Sequence, residues 1–254
     1  MKNLSIDQLE HSEFVNRLRT ARSVAVLTGA GISAESGVPT FREAQIGLWA
    51  RFRPEELATP QAFRKDPRLI WEWYTWRREL VQQARPNPGH LALAAMEERI
   101  PVFALITQNV DGLHQLAGSG NRFPVIELHG NICRTKCFEE DIPVETWEET
   151  DQIPPRCPRC GGPLRPDVVW FGEALPLQAI QAAWEATQTC EIFFSIGTSG
   201  LVEPAASLPF MALKAGASVV EVNPNETPLT SHATYVLNGP SGIILPAIVK
   251  AIWG

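Results

Sequence analysis

The chain has 254 residues, 44% hydrophobic and 20% charged, and a formal net charge of −6 at pH 7. That length suits one large α/β domain or two small ones, and the balance excludes a disordered tail, a collagen or a small disulfide scaffold. An acidic chain lacks the basic excess that a sequence-independent nucleic-acid binder needs, so DNA and RNA are not expected partners.

The stretch Met1–Leu18 is polar and has no apolar secretory core, and no apolar run approaches the roughly 20 residues of a membrane span. The expectation is a soluble protein of a reducing cytoplasm, with no membrane partner. Leu9, Phe14, Val15 and Leu18 predict a helix within residues 6–21. Val24–Leu27 reads as a buried parallel strand that ends in the glycine turn Thr28-Gly29-Ala30-Gly31. Further apolar runs predict strands at Val102–Ile106, Val125–Leu128, Val168–Phe171, Ile192–Ile196, Val219–Val222 and Tyr235–Leu237. Helical patterns at His90–Glu98, Leu177–Ala186 and Pro204–Ala215 lie between them, and Ile243–Ile252 reads as a closing helix. This alternation predicts an α/β fold, a doubly wound and mostly parallel sheet with helices on both faces.

Two segments interrupt the pattern. Residues 42–89 hold no predicted strand but several prolines and a tryptophan-rich helix at Arg68–Ala84, and residues 131–166 hold four paired cysteines. Together they are expected to form a smaller lobe, a helical module (42–89) beside a zinc-binding module (131–166). The large lobe would take residues 1–41, 90–130 and 167–254. A ligand would lie between the lobes, at the C-terminal ends of the strands.

Gly29-Ala30-Gly31-Ile32-Ser33-Ala34 fits G-x-G-x-x-G/A after a strand, so its amides could face a pyrophosphate; an ordinary strand-to-helix turn has the same pattern. A dehydrogenase needs an acidic residue at the end of a second strand about 20 residues on. Here that region reads GLWARFRPEEL, which is no strand, so ordinary hydride transfer is not expected. Cys133-x3-Cys137 and Cys157-x2-Cys160 can close a tetrahedral zinc site of four thiolates; free thiols or two disulfides are the alternatives. Four thiolates leave no open position, so such a zinc would be structural. Cys190 stands alone and reads as a small buried residue. Polar residues gather at the strand ends in Gln108-Asn109-Val110-Asp111, in Glu127-Leu128-His129 and in Gly197-Thr198-Ser199. His129 there is a general-base candidate or a turn histidine, and Asp111 a ligand contact or a helix cap.

Taken in order, GAGISAESGVPTFR (Gly29–Arg42), TQNVDGLH (Thr107–His114), ELHG (Glu127–Gly130), the cysteine pairs, LRPDVVWFGE (Leu164–Glu173), GTSG (Gly197–Gly200) and VNPN (Val222–Asn225) resemble the sirtuins, NAD-dependent protein lysine deacylases. The resemblance runs from about Phe14 to Trp253. It implies a Rossmann-like fold, NAD as co-substrate, one structural zinc, and an acyl-lysine protein or peptide as partner; the sequence does not fix the oligomeric state, and a monomer is the default expectation. It places Gly29, Ala30, Gly31 and Ser33 at the phosphates and Phe41 and Arg42 on a cofactor loop. Gln108, Asn109 and Asp111 would hold the nicotinamide ribose and carboxamide, and Gly197, Thr198, Ser199, Asn223, Asn225 and Ser241 the remainder of the cofactor. His129, with Asn109, would be catalytic. Val168, Val169, Phe171, Gly172 and Glu173 would form the edge to which the peptide adds as a strand. The loop after Phe41 and Arg42, Glu43-Ala44-Gln45-Ile46-Gly47-Leu48-Trp49, has less glycine than sirtuins often show.

In that family's reaction the amide oxygen of the acyl-lysine attacks C1′ of the nicotinamide ribose as nicotinamide leaves. His129 then takes a proton from the ribose hydroxyls. The products are free lysine, nicotinamide and O-acyl-ADP-ribose. Tyr74 and Arg77 are three apart on the tryptophan-rich helix and so share a face. They can form a carboxylate clamp, or pack and solvate as ordinary helix residues. Class III sirtuins carry such a Tyr-x-x-Arg pair with an upstream alanine, here Ala58, and this implies succinyl- or malonyl-lysine beside acetyl-lysine. Two other readings are a mono-ADP-ribosyltransferase using the same NAD site and a non-catalytic sensor module.

Overall fold

A computed structural model of the chain describes residues 2–38, 54–148 and 150–254. The chain enters on a short strand β1 (Lys2–Asn3), a 3₁₀ turn (Ile6–Gln8) and helix α1 (Glu13–Thr20), whose first turn is capped by the Ser12 hydroxyl accepting from the amide of Val15. Strand β2 (Ser23–Thr28) leads into α2 (Gly31–Ala34). The strandless segment then forms α3 (Pro54–Leu57), α4 (Pro60–Lys65), α5 (Pro67–Gln83) and α6 (Pro88–Arg99). Three of these starts share one device. Thr59, Asp66 and Asn87 each cap through a side-chain oxygen, and Pro60, Pro67 and Pro88 follow, where a missing N–H is harmless.

Strand β3 (Val102–Thr107), helix α7 (Leu113–Leu116), strands β4 (Ile126–Glu127), β5 (Gly130–Cys137) and β6 (Leu164–Val168), and helix α8 (Leu177–Thr189) come next. Strand β7 (Ile192–Ile196), helix α9 (Leu208–Ala215), strands β8 (Ser218–Asn223) and β9 (Tyr235–Asn238), and helix α10 (Ser241–Trp253) complete the chain. The main sheet has seven strands in the order β1-β9-β8-β7-β2-β3-β4, and all its pairings are parallel. The order turns back at β2, which pairs with β3 on one side and β7 on the other, so the carboxyl ends of β2 and β7 form a topological switch point.

Alternate residues of β2 serve opposite faces, as a parallel strand requires. Val24 and Val26 pack with α1, α6 and α10, while Ala25 and Leu27 pack with α8 and α9. A third core joins Phe63, Trp73 and Tyr74 of the helical module to Ile132, Val168 and Trp170. A small fourth core holds Cys137, Val144, Cys157 and Leu164. The fold is the Rossmann-like α/β architecture with a smaller lobe.

Three expectations are corrected. The run Val168–Phe171 is not a strand of the parallel sheet: β6 ends at Val168 and pairs antiparallel with β5 in a separate two-stranded sheet. Its apolar residues serve the small lobe, and the chain then turns through Gly172 at φ 86°. The helix expected from Pro204 begins at Leu208, after a 3₁₀ turn at Ala205–Ser207. The N-terminal helix is split between its 3₁₀ turn and α1. Among the described residues no helix is long and apolar enough to cross a membrane.

Candidate active site

The floor of the crevice at the switch point is made of two glycines, Gly29 and Gly31, packed against a third, Gly197. The amide of Gly29 donates to the carbonyl of Ile196 (3.0 Å), and that of Gly31 to the carbonyl of Gly197 (2.7 Å). A Cβ on Gly31 would lie 2.7 Å from Cα of Gly197, and one on Gly29 would lie 2.8 Å from its carbonyl oxygen. Gly197 itself sits at φ 58°. Ala30 precedes α2 as its N-cap residue. Thr198 is tied down twice: its hydroxyl accepts from Gln108 Nε2 (3.0 Å) and its carbonyl from Asn223 Nδ2 (2.8 Å). Ser199 and Asn225 are exposed at the rim. Ser241 is buried at the start of α10 and donates to Glu35 Oε1 (3.3 Å).

Beside the floor lies a buried polar network. The Ser33 hydroxyl donates to Asp111 Oδ2 (2.7 Å) and accepts from Asn109 Nδ2 (3.1 Å). Asn109 Nδ2 also reaches the carbonyl of Gly29 (3.1 Å), which joins the end of β3 to the turn after β2. His90 Nε2 lies 3.4 Å from the same hydroxyl, and His90 Nδ1 faces the amide of Asn87 at 3.4 Å. An amide can only donate, so Nδ1 is the acceptor and Nε2 carries the proton. Burial pushes the Asp111 carboxyl up, against the opposing bonds from the amide of Leu113 and the Ser33 hydroxyl.

His129 stands across this network, half-buried, with Nδ1 2.9 Å from the carbonyl oxygen of Gln108. A carbonyl only accepts, so Nδ1 carries the proton and Nε2 is left as a base. Burial lowers its pKa below the ordinary value of 6.5, opposed by the bond to Gln108. The carbonyl of His129 accepts from the amide of Val169 (2.9 Å), which fixes the segment after β6 against the base.

That segment is braced from within. Arg165 is buried, stacks 3.3 Å over the ring of Trp170, and donates to both carboxylate oxygens of Glu173 (2.5 and 2.9 Å). Glu173 also accepts from the amide of Trp170 (2.7 Å). The amide of Phe171 donates to the carbonyl of Ala58 (2.9 Å), and the indole N–H of Trp170 donates to the hydroxyl of Tyr74 (2.9 Å). Ala58 and Tyr74 are each 3% exposed, while Phe171 is 46% exposed. The guanidinium of Arg77 lies 5.0 Å from the ring centre of Trp73 and 5.7 Å from that of Tyr74. Ala58, Tyr74 and Arg77 therefore gather with Trp170 at one wall, and Val168, Val169, Phe171, Gly172 and Glu173 run past it.

The cysteines do not assemble as expected. Cys137, Cys157 and Cys160 come together, and the fourth donor within reach is Glu140; all four donor atoms lie within 4.8 Å of one another. Three soft thiolates and a carboxylate fit zinc. Cys133 is corrected: it lies outside this group, exposed on β5, and its electrostatic neighbours are Arg78, Asp111 and Arg134. It is four residues before Cys137 on an extended strand, on the order of 10 Å away. Cys190 is buried, as read from the sequence.

The family model described as the Sir2 family matches residues 29–204, a span that contains the glycine floor, the buried polar network, His129 and the cysteine group. The chain belongs to the Sir2 family. It is 56% identical over 214 residues to an NAD-dependent protein deacylase of Aquifex aeolicus, covering 83% of this chain and 87% of that one. A solved Sir2 homologue in complex with NAD superimposes with a TM-score of 0.87 at 45% identity, covering 94% of this chain and 93% of that one. A triple mutant of a Sir2 homologue bound to 2′-O-acetyl-ADP-ribose gives 0.86 at 44% identity, covering 95% and 96%.

In this Sir2 chain the switch-point crevice fits a dinucleotide: its floor is backbone, and amide, hydroxyl and carboxyl groups of Gln108, Asn109, Asp111, Thr198 and Asn223 converge above it. Phe41 and Arg42, and the glycine-poor loop that follows them, lie outside the described residues. Sequence reasoning missed His90, Arg165, Trp170 and Glu140. Glu140 left a local signal, since two residues separate it from Cys137, the same step that separates Cys157 from Cys160.

Proposed function

We propose that this Sir2 chain is an NAD-dependent protein-lysine deacylase that removes succinyl and malonyl groups as well as acetyl groups. The feature that carries the acyl preference is the wall made by Ala58, Tyr74 and Arg77. Trp170 donates to the Tyr74 hydroxyl, so the phenol's own proton is left to point elsewhere. Burial pushes the Tyr74 pKa up to about 12, which keeps it a donor at working pH. Arg77 is held over two aromatic rings on the same helix face. A donor phenol and a guanidinium suit the far carboxylate of a succinyl or malonyl group, and Ala58 leaves room that a larger residue would fill.

NAD supplies an anomeric carbon that becomes electrophilic as nicotinamide departs. The remaining work is done by the chain. Gly29, Ala30, Gly31 and Ser33 would receive the phosphates, with Gly197, Thr198, Ser199, Asn223, Asn225 and Ser241 holding the adenosine half. Gln108, Asn109 and Asp111 would orient the nicotinamide ribose. His129 would take a ribose-hydroxyl proton at Nε2, its Nδ1–H anchored on Gln108. An acyl-lysine segment would lie along Val168–Glu173, between the large lobe and the helical and cysteine modules.

The test uses purified protein, NAD and matched acetyl- and succinyl-lysine peptides, followed by mass spectrometry. Succinyl loss with O-succinyl-ADP-ribose formation is the expected result. Acetyl loss alone would overturn the carboxylate preference while leaving the deacylase.

A further inference from the structure

Two loops supply the cysteine group, and they are built alike. Cys157 and Cys160 bracket one two-residue step, and Cys137 and Glu140 bracket the other. In the first loop the amides of Arg159 and Cys160 bond the sulfur of Cys157; in the second the amide of Glu140 donates to the sulfur of Cys137 (3.4 Å). The sulfurs of Cys137 and Cys160 are 3.4 Å apart, and Glu140 Oε2 lies 3.9 Å from the sulfur of Cys157. With zinc–sulfur bonds of about 2.3 Å and a zinc–oxygen bond of about 2.0–2.2 Å, the edges of a tetrahedron come to about 3.5–3.8 Å. Glu140 thus occupies the corner where the loop's second thiolate would stand. Cys133, in the middle of β5, has its backbone amide bonded to Asn131 Oδ1 (3.0 Å), is exposed, and has Arg78, Asp111 and Arg134 as its electrostatic neighbours. Arg159 Nε lies 3.5 Å from Glu140 Oε2 and steadies the carboxylate from outside.

We propose that Glu140 is the fourth ligand of the structural zinc, which makes the site a three-thiolate, one-carboxylate centre. Cys133 is then a free thiol with no part in it. This centre carries the same formal charge as a four-cysteine site but one harder, more easily exchanged donor.

Zinc-edge X-ray absorption of the zinc-loaded protein tests this independently of acyl selectivity. The expected first shell is three sulfurs at about 2.3 Å and one oxygen at about 2.0–2.2 Å, unchanged by Cys133→Ser and converted to four sulfurs by Glu140→Cys. Glu140→Ala should release zinc to a chelator at least about tenfold faster than the parent. Four sulfurs in the parent, one of them lost in Cys133→Ser, would overturn the assignment. So would zinc release unaltered in Glu140→Ala, since water would then hold the fourth place. A protein that binds no stoichiometric zinc overturns it as well.

Discussion

Nδ1 of His129 lies 2.9 Å from the main-chain oxygen of Gln108, the residue that also donates through its side chain to Thr198. One residue past β3 therefore sets the tautomer of the base and one wall of the crevice. His129→Ala should lower kcat/KM by about 10²–10⁴-fold, the usual contribution of general-base catalysis. In the parent, burial holds the histidine below 6.5. The rising limb of kcat/KM against pH should accordingly fall below that value; a limb at or above it would contradict the assignment.

At the proposed acyl wall, Arg77→Met should lower succinyl turnover by about tenfold to a hundredfold, equal to about 1.5–3 kcal/mol of lost charge-assisted bonding. Acetyl turnover should stay near that of the parent. Tyr74→Phe removes the acceptor of a buried indole N–H as well as the phenol donor. It should cost about 1–3 kcal/mol in chemical denaturation in addition to succinyl selectivity. Parallel losses on the two peptides for Arg77→Met would return Arg77 to simple packing.

At the crevice floor, Gly31→Ala forces a methyl to 2.7 Å from the Gly197 backbone, and no flexible side chain is there to yield. The turn must open, at a cost of about 1–3 kcal/mol. Calorimetry should record a lower Tm, and the KM for NAD should rise while the KM for peptide holds. Gly37, by contrast, has nothing within 4 Å of its Cβ direction and only its φ of 77° to lose.

His90 and His114 are buried, their rings 4.9 Å apart, and burial lowers them to about 4 and about 3. Both are neutral in the folded protein, while the unfolded chain binds these protons near pH 6.5. A depressed folded pKa means the unfolded state holds more protons in the window between, so stability falls with pH from about 6.5 toward 4. Each histidine adds a slope of about 1.4 kcal/mol per pH unit there. Urea titrations at several pH values should show this, with a shallower fall in His114→Asn. An identical slope in that variant would refute the linkage.

Much of the plan was legible because it rests on local periodicity and spacing. Val24–Leu27 and Ile192–Ile196 are continuous apolar runs because both faces of those strands are covered. Asn109, Asp111 and His129 could be placed from the strands they follow. Val168–Phe171 misled for the same reason that Val24–Leu27 succeeded: an apolar run marks burial, not the sheet that does the burying. Cys133 misled because thiol count outweighed spacing, whereas geometry favours Glu140 with the two-residue step. Arg165 and Trp170 stand inside the LRPDVVWFGE motif, but nothing in the motif itself pairs them. Their stacking joins β6 to the turn that follows it, and only the folded chain reveals it.

Gly29 and Gly31 both press on the backbone of Gly197, so none of the three can gain a side chain that its neighbours could absorb. The crevice floor therefore has almost no neutral variation open to it. Ala58, Tyr74 and Arg77 stand on a different layer, Ala58 in the bend between α3 and α4 and the other two on α5, whose start is set by Pro67 and the Asp66 cap rather than by the sheet. A descendant of this chain could alter the acyl preference proposed for that layer, one residue at a time, while inheriting its nucleotide seat intact.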